Sequence, residues 1–103
     1  MTAQWHDACA TNDVDDEDLI TMKLAGRVVA IYNTPEGFFA TAGMCTHEDE
    51  SLDGGLVMDG VIECPLHQGR FCVRTGRALS APAVENLVTY ELQVKDGRVW
   101  VKV

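Results

Sequence analysis

The sequence predicts an all-β fold, a small antiparallel sandwich or barrel, and three observations carry that expectation. No segment holds an apolar helical period over ten or more residues. Short runs rich in β-branched and aromatic residues are instead bounded by turn dipeptides. Those runs recur at spacings of about 8–12 residues, the rhythm of small sandwiches and barrels.

The elements follow in order. Leu19–Leu24 and Arg27–Asn33 flank the Ala25-Gly26 break and are expected to pair as a hairpin. Phe38–Thr41 resumes the strand pattern after a Thr34-Pro35-Glu36-Gly37 turn. Leu56–Met58 and Val61–Glu63 flank Asp59-Gly60, a dipeptide suited to the positive φ angles of a type I′ hairpin turn. Phe71 and Cys72 belong to a further strand. Beyond them Val88, Tyr90, Leu92 and Val94 alternate with Thr89, Glu91, Gln93 and Lys95, which predicts one strand with a single wet face. Asp96-Gly97 then turns the chain into Arg98–Val103, where Val99, Val101 and Val103 alternate with Arg98, Trp100 and Lys102. Trp100 is expected on the wet side.

With 103 residues and 11.3 kDa, the chain is expected to form one domain, 1–103. A chain of this mass buries roughly 65% of its unfolded surface, enough for one modest core. Sixteen acids against eight bases give a net charge of −8 and a pI near 4.6. Such a chain is repelled by nucleic acid and by anionic lipid, so neither is an expected partner; basic protein surfaces and small molecules are. No apolar run reaches the roughly 20 residues needed to span a bilayer. Met1–Ala10 has no basic or apolar leader pattern, so the expected setting is soluble and cytoplasmic, as a monomer. Asp13–Asp18, with five acids in six residues, reads as a solvated loop.

Four cysteines in a reducing compartment point to metal binding or burial rather than a disulfide framework. Two motifs decide between them: Cys45-Thr46-His47 and, after sixteen residues, Cys64-Pro65-Leu66-His67. Each offers one soft thiolate and one imidazole from a loop marked by Gly43, Pro65 and Gly69. The Asp59-Gly60 hairpin lies between them, and the open ends of its strands are about 5 Å apart. Cys45, His47, Cys64 and His67 are therefore expected to converge on one site. That donor set suits either one tetrahedral zinc or a two-iron, two-sulfide cluster with cysteines on one iron and histidines on the other.

The surrounding residues favour the second. From Trp5 through both motifs to Phe71, Thr75-Gly76, Pro82, Leu87–Leu92 and Gly97–Val101, the chain resembles the Rieske-type ferredoxins, electron carriers of bacterial aromatic-ring-hydroxylating dioxygenase systems. The resemblance implies a Rieske iron-sulfur fold with a two-loop cluster-binding subdomain at about 43–73. It implies one [2Fe–2S] cluster per chain, with Cys45 and Cys64 on one iron and His47 and His67 on the other. It also implies a carrier that takes electrons from a flavin-containing NAD(P)H reductase to a terminal oxygenase and is not itself an enzyme.

Membrane-bound respiratory members of the family carry two extra cysteines and a membrane anchor; Glu50 and Leu66 stand here instead, and no anchoring helix is expected. Where those relatives have Ser and Tyr near the sulfurs, this chain has Gly69 and Phe71. Ala81-Pro82-Ala83 resembles the family's proline-bearing loop over the cluster. Two rival readings are a zinc-stabilised interaction domain and a Rieske-like small subunit of a larger enzyme such as nitrite reductase. Cys9 and Cys72 are expected to be buried small hydrophobes, and His6 a surface residue. Leu66 and Pro65 should exclude water at the site, and Glu48, Asp49 and Glu50 should form an acidic rim beside it.

Overall fold

The computed structural model describes residues 2–46, 50–65, 69–81 and 85–103. Its strands are β1 (Trp5–Ala10), β2 (Asp18–Leu24), β3 (Arg27–Thr34), β4 (Gly37–Ala42), β5 (Leu56–Met58), β6 (Val61–Glu63), β7 (Arg70–Cys72), β8 (Ala78–Ser80), β9 (Thr89–Tyr90), β10 (Leu92–Lys95) and β11 (Arg98–Lys102). They form three antiparallel sheets, ordered β1-β11-β10, β2-β3-β4-β9 and β5-β6-β7-β8.

β3 explains the layering. Its run Val28-Val29-Ala30-Ile31-Tyr32 is apolar without a break, the mark of a strand covered on both faces. Val29 and Ile31 pack with Cys9, Val14, Ala40, Val99 and Val101, which joins the central sheet to β1-β11-β10. Ala30 and Tyr32 point the other way, into a second core with Val57, Ile62 and Phe71 of the β5–β8 sheet. The central sheet thus has one apolar core on each side.

The hairpins form as expected. Ala25 (φ 51°) with Gly26 (φ 77°), Asp59 (52°) with Gly60 (76°) and Asp96 (52°) with Gly97 (74°) carry the paired positive angles of I′-like turns. The strand expected over Val88–Val94 is the exception. It breaks at Glu91, with Thr89–Tyr90 pairing to β4 and Leu92–Lys95 to β11. The switch of sheets leaves Val88 and Val94 exposed at 58% and 49%, and Leu87 fills the core instead. Trp100 lies half-buried on its strand, between buried Val99 and Val101.

The acidic stretch is tied down at several points. Asp13 accepts from the Ala10 backbone (2.9 Å), Val14 is buried, Asn33 donates to the Val14 carbonyl (3.0 Å), and Glu17 accepts from the Asp59 backbone (3.4 Å). No helix among the described residues is long and apolar enough to cross a membrane.

Candidate metal centre

Each cysteine of the two motifs is the point where the chain leaves a hydrogen-bonded ladder for a loop. Beyond β4, Leu52 N–H donates to the Gly43 carbonyl (2.8 Å), Met44 bridges Ser51, and Cys45 N–H donates to the Glu50 carbonyl (2.7 Å). Beyond β6, Glu63 pairs with Arg70 and Cys64 N–H donates to the Gly69 carbonyl (2.8 Å). Both loops are thus closed at the base by backbone bonds one residue past the last ladder pair. Gly55 brings the connection between them against β6, since a Cβ there would overlap the Glu63 carbonyl.

The two cysteines are buried in a common core. Cys45 (4% exposed) and Cys64 (1%) belong to one buried cluster with Leu52, Ile62, Phe71 and Leu87. His47 and His67 lie outside the described residues, as do Glu48, Asp49, Leu66 and Pro82–Ala83.

Two supports were not legible in the sequence. Thr41, fully buried at the end of β4, donates its hydroxyl to the Ala42 carbonyl (2.8 Å) and accepts from the Tyr32 hydroxyl (2.8 Å). That chain fixes the strand end from which the first loop departs, and burial pushes the Tyr32 hydroxyl far up, so it stays protonated. A second support is the segment 85–88. The Thr46 hydroxyl donates to the Glu85 carbonyl (2.7 Å), Leu87 N–H to the Gly76 carbonyl (2.7 Å), and Ala42 N–H to the Val88 carbonyl (2.8 Å). The visible signal for both was a lone Thr in an apolar strand and a Thr between two candidate ligands.

Cys9 is buried in β1 as expected, but Cys72 is only half-buried, a correction to its reading as a core residue. It stands at the end of β7 on that sheet's outer side. Burial alone would raise its thiol, yet hydrogen bonding with Thr75 and the Arg74 backbone, together with the Arg74 charge, carries it below the ordinary value. His6 is a partly exposed residue of β1.

The donor set fits a soft, thiolate-bound metal group. Two cysteines buried in one apolar cluster offer soft sulfur donors of the kind that iron–sulfur groups take.

The matches to known proteins agree. The family model described as the Rieske [2Fe-2S] domain matches residues 4–91. The ferredoxin component of the naphthalene 1,2-dioxygenase/salicylate 5-hydroxylase systems of Ralstonia sp. is 37% identical over 102 residues, 99% of this chain and 98% of that protein. The naphthalene 1,2-dioxygenase system ferredoxin component of Pseudomonas aeruginosa is 39% identical over 101 residues, 98% and 97% of the two chains. Among solved structures, a chain from the complex of reduced oxygenase and oxidised ferredoxin in carbazole 1,9a-dioxygenase superposes with a TM-score of 0.89 at 36% identity, covering 95% of this chain and 92% of that one. With two buried cysteines in paired loops and a family match across most of its length, the chain belongs to the Rieske [2Fe-2S] family and takes a cluster of that type.

Proposed function

We propose that the chain is a one-electron carrier, not an enzyme, that receives electrons from a flavin-containing NAD(P)H reductase and delivers them to a terminal aromatic-ring-hydroxylating oxygenase. The observation that carries this reading is end-to-end similarity to ferredoxin components, around a site built from two buried cysteines. Residues 1–103 act as one cytoplasmic, monomeric domain, with its cluster-binding part at about 43–73. Cys45 and Cys64 hold one iron and His47 and His67 the other. When bound, the cluster supplies a reversible one-electron site.

The test is reconstitution. Protein made with ample iron should carry two irons and two labile sulfides per chain and support oxygenase turnover when a reductase is added. One zinc and no iron would restore the zinc-domain reading.

The potential follows from the sulfur surroundings. Two thiolates leave the oxidised cluster neutral, and hydrogen bonds to its sulfurs would favour the reduced, negative state. Phe71 is fully buried in the cysteines' cluster and brings no hydroxyl, and Gly69 has no side chain. The potential is therefore expected near the low end of the Rieske range, nearer about −150 than +300 mV. Gly69→Ser is expected to raise it. Protein-film voltammetry at neutral pH decides, and a clearly positive wild-type value would refute the argument.

Charge sets the encounter. Neutralising Glu48, Asp49 and Glu50 together to Gln and Asn should slow electron delivery severalfold at low salt and far less at about 0.5 M, because the screening length falls from about 10 Å at 0.1 M to 3 Å at 1 M. Stopped-flow rates at the two salt concentrations measure this. Equal rates for variant and wild type at low salt would assign the three acids to solvation alone.

A further inference from the structure

The β5–β8 sheet has an inner face that closes the cysteines' core and an outer face that ought to be polar. Alternation puts Val57, Ile62 and Phe71 inside, none more than 6% exposed. The residues between them point outward, and beside Glu63 and Arg70 that face carries a large apolar set. Leu56 is 64% exposed, Met58 62%, and Val61 pairs directly with Met58. On the last strand, the irregularity between Arg70 and Phe71 pairs Arg70 with Ser80 and Phe71 with Ala78, so that Leu79 is the extra residue. Leu79 is 49% exposed and borders a depression of about 440 Å³ together with Leu56, Met58 and Val61. Solvent-facing sheet surfaces normally carry polar side chains, so an apolar set this well exposed has a use other than the core.

Its position and charge say what covers it. Leu56 also borders a smaller depression with Gly55, Cys64 and Pro65, so the face begins at the second cysteine's loop. Its rim holds Asp59 and Glu63, with Glu17 against the Asp59 turn. Among the described residues lining it the one base is Arg70, 3.9 Å from Glu63. A second copy of a chain at −8 would bring the same acids to the same rim, and like charges oppose that pairing. The complementary partner is a protein with an apolar patch inside a basic border.

We propose that the outer face of the β5–β8 sheet, centred on Leu56, Met58 and Leu79, is a docking surface for the terminal oxygenase. This rests on the carrier reading above. The oxygenase is chosen over the reductase because a 36%-identical structural relative comes from a complex with its oxygenase.

The test uses the loaded protein carrying Met58→Gln and Leu79→Gln together, both away from the cysteine motifs. Val94→Gln is the control, since that side chain is comparably exposed on another sheet. Pre-reduced ferredoxin is titrated into the oxygenase, and the oxidised form separately into the reductase. In the test variant, the ferredoxin concentration for half-maximal oxygenase reduction should rise about fivefold to tenfold, the loss of one or two modest interface anchors. The limiting rate, the visible spectrum and the potential should stay as in the wild type, and the control should follow the wild type in every assay. An unchanged half-saturating concentration would overturn the proposal. So would a defect confined to the reductase step, or a wild-type dimer in sedimentation that the test variant loses. Wild-type protein that holds its cluster yet reduces no oxygenase would overturn the carrier reading itself, an outcome distinguishable from loss of this surface because it needs no variant.

Discussion

Replacing Cys45 or Cys64 by Ser is expected to give colourless protein with no stoichiometric iron, whichever of the two is changed. Serine keeps the size but not the chemistry: a hydroxyl does not ionise near neutral pH, and its oxygen is a poor match for iron that prefers soft thiolate. The structure adds a second loss. Both side chains sit in an apolar cluster with Leu52, Ile62 and Phe71, at 4% and 1% exposure. At Cys64, a hydroxyl left in that cluster without a partner costs about 1–3 kcal/mol. The metal-free Cys64→Ser variant should therefore also melt earlier than metal-free wild type. Cys9→Ser and Cys72→Ser are the controls, and both should keep two irons and two sulfides. Iron and labile-sulfide analysis with a visible spectrum reads the first effect, and thermal unfolding reads the second. A Cys64→Ser chain with full iron would remove that residue from the ligand set.

How far the sequence could be read depended on whether the signal was local. The hairpins at Ala25-Gly26, Asp59-Gly60 and Asp96-Gly97 were legible because a positive-φ pair announces itself in two residues. β3 was legible as a strand, but its burial on both faces became clear only with a sheet on either side of it. β1 and β8 were not recognised as strands. β1 begins with the exposed Trp5 and carries an irregularity between Asp7 and Cys9, so no clean alternation survives in it. β8 is three residues long and is displaced against its neighbour. Val88 and Val94 fitted a regular period, yet the chain changes sheets at Glu91, and a change of sheet leaves no local trace.

The candidate site divides in the same way. Donor types and spacing pointed to Cys45 and Cys64, and the structure sets both in one core. What holds their loops was invisible, because those bonds join residues far apart: Thr46 to Glu85 across 39 positions, and Leu87 to Gly76. Cys72 was misjudged because a strand's last residue does not declare which face it takes.

Gly76→Ala is expected to be among the most damaging single methyl additions at the described glycines. Gly76 has φ +77°, and a Cβ built on it would run into the Leu87 carbonyl, with Thr89 Cγ2 only 3.1 Å away. The contact cannot relax freely. Gly76 N–H donates to the Cys72 carbonyl (2.7 Å), and the Gly76 carbonyl accepts from Leu87 N–H (2.7 Å), so the turn is held to β7 on one side and to the 85–88 segment on the other. Leu87 is 3% exposed in the core shared by both cysteines. Pushing it outward would also draw on Glu85, whose carbonyl anchors Thr46 of the first motif. The left-handed angle alone costs an alanine about 1–2 kcal/mol. With the displaced backbone added, the total should reach about 2–4 kcal/mol, the range of severe single substitutions. At about 4–8 °C per kcal/mol, that lowers the melting temperature by roughly 8–32 °C. Gly97→Ala separates the two contributions, because Gly97 has nearly the same angle, φ +74°, with nothing within 4 Å of the added carbon. It should lose only the conformational part and keep its cluster under an iron chelator as long as the wild type does. Gly76→Ala should lose the cluster faster, since the anchor of Thr46 has moved. Equal melting losses in the two variants, with equal rates of iron release, would show that the Gly76–Leu87 contact holds nothing that the turn does not already hold.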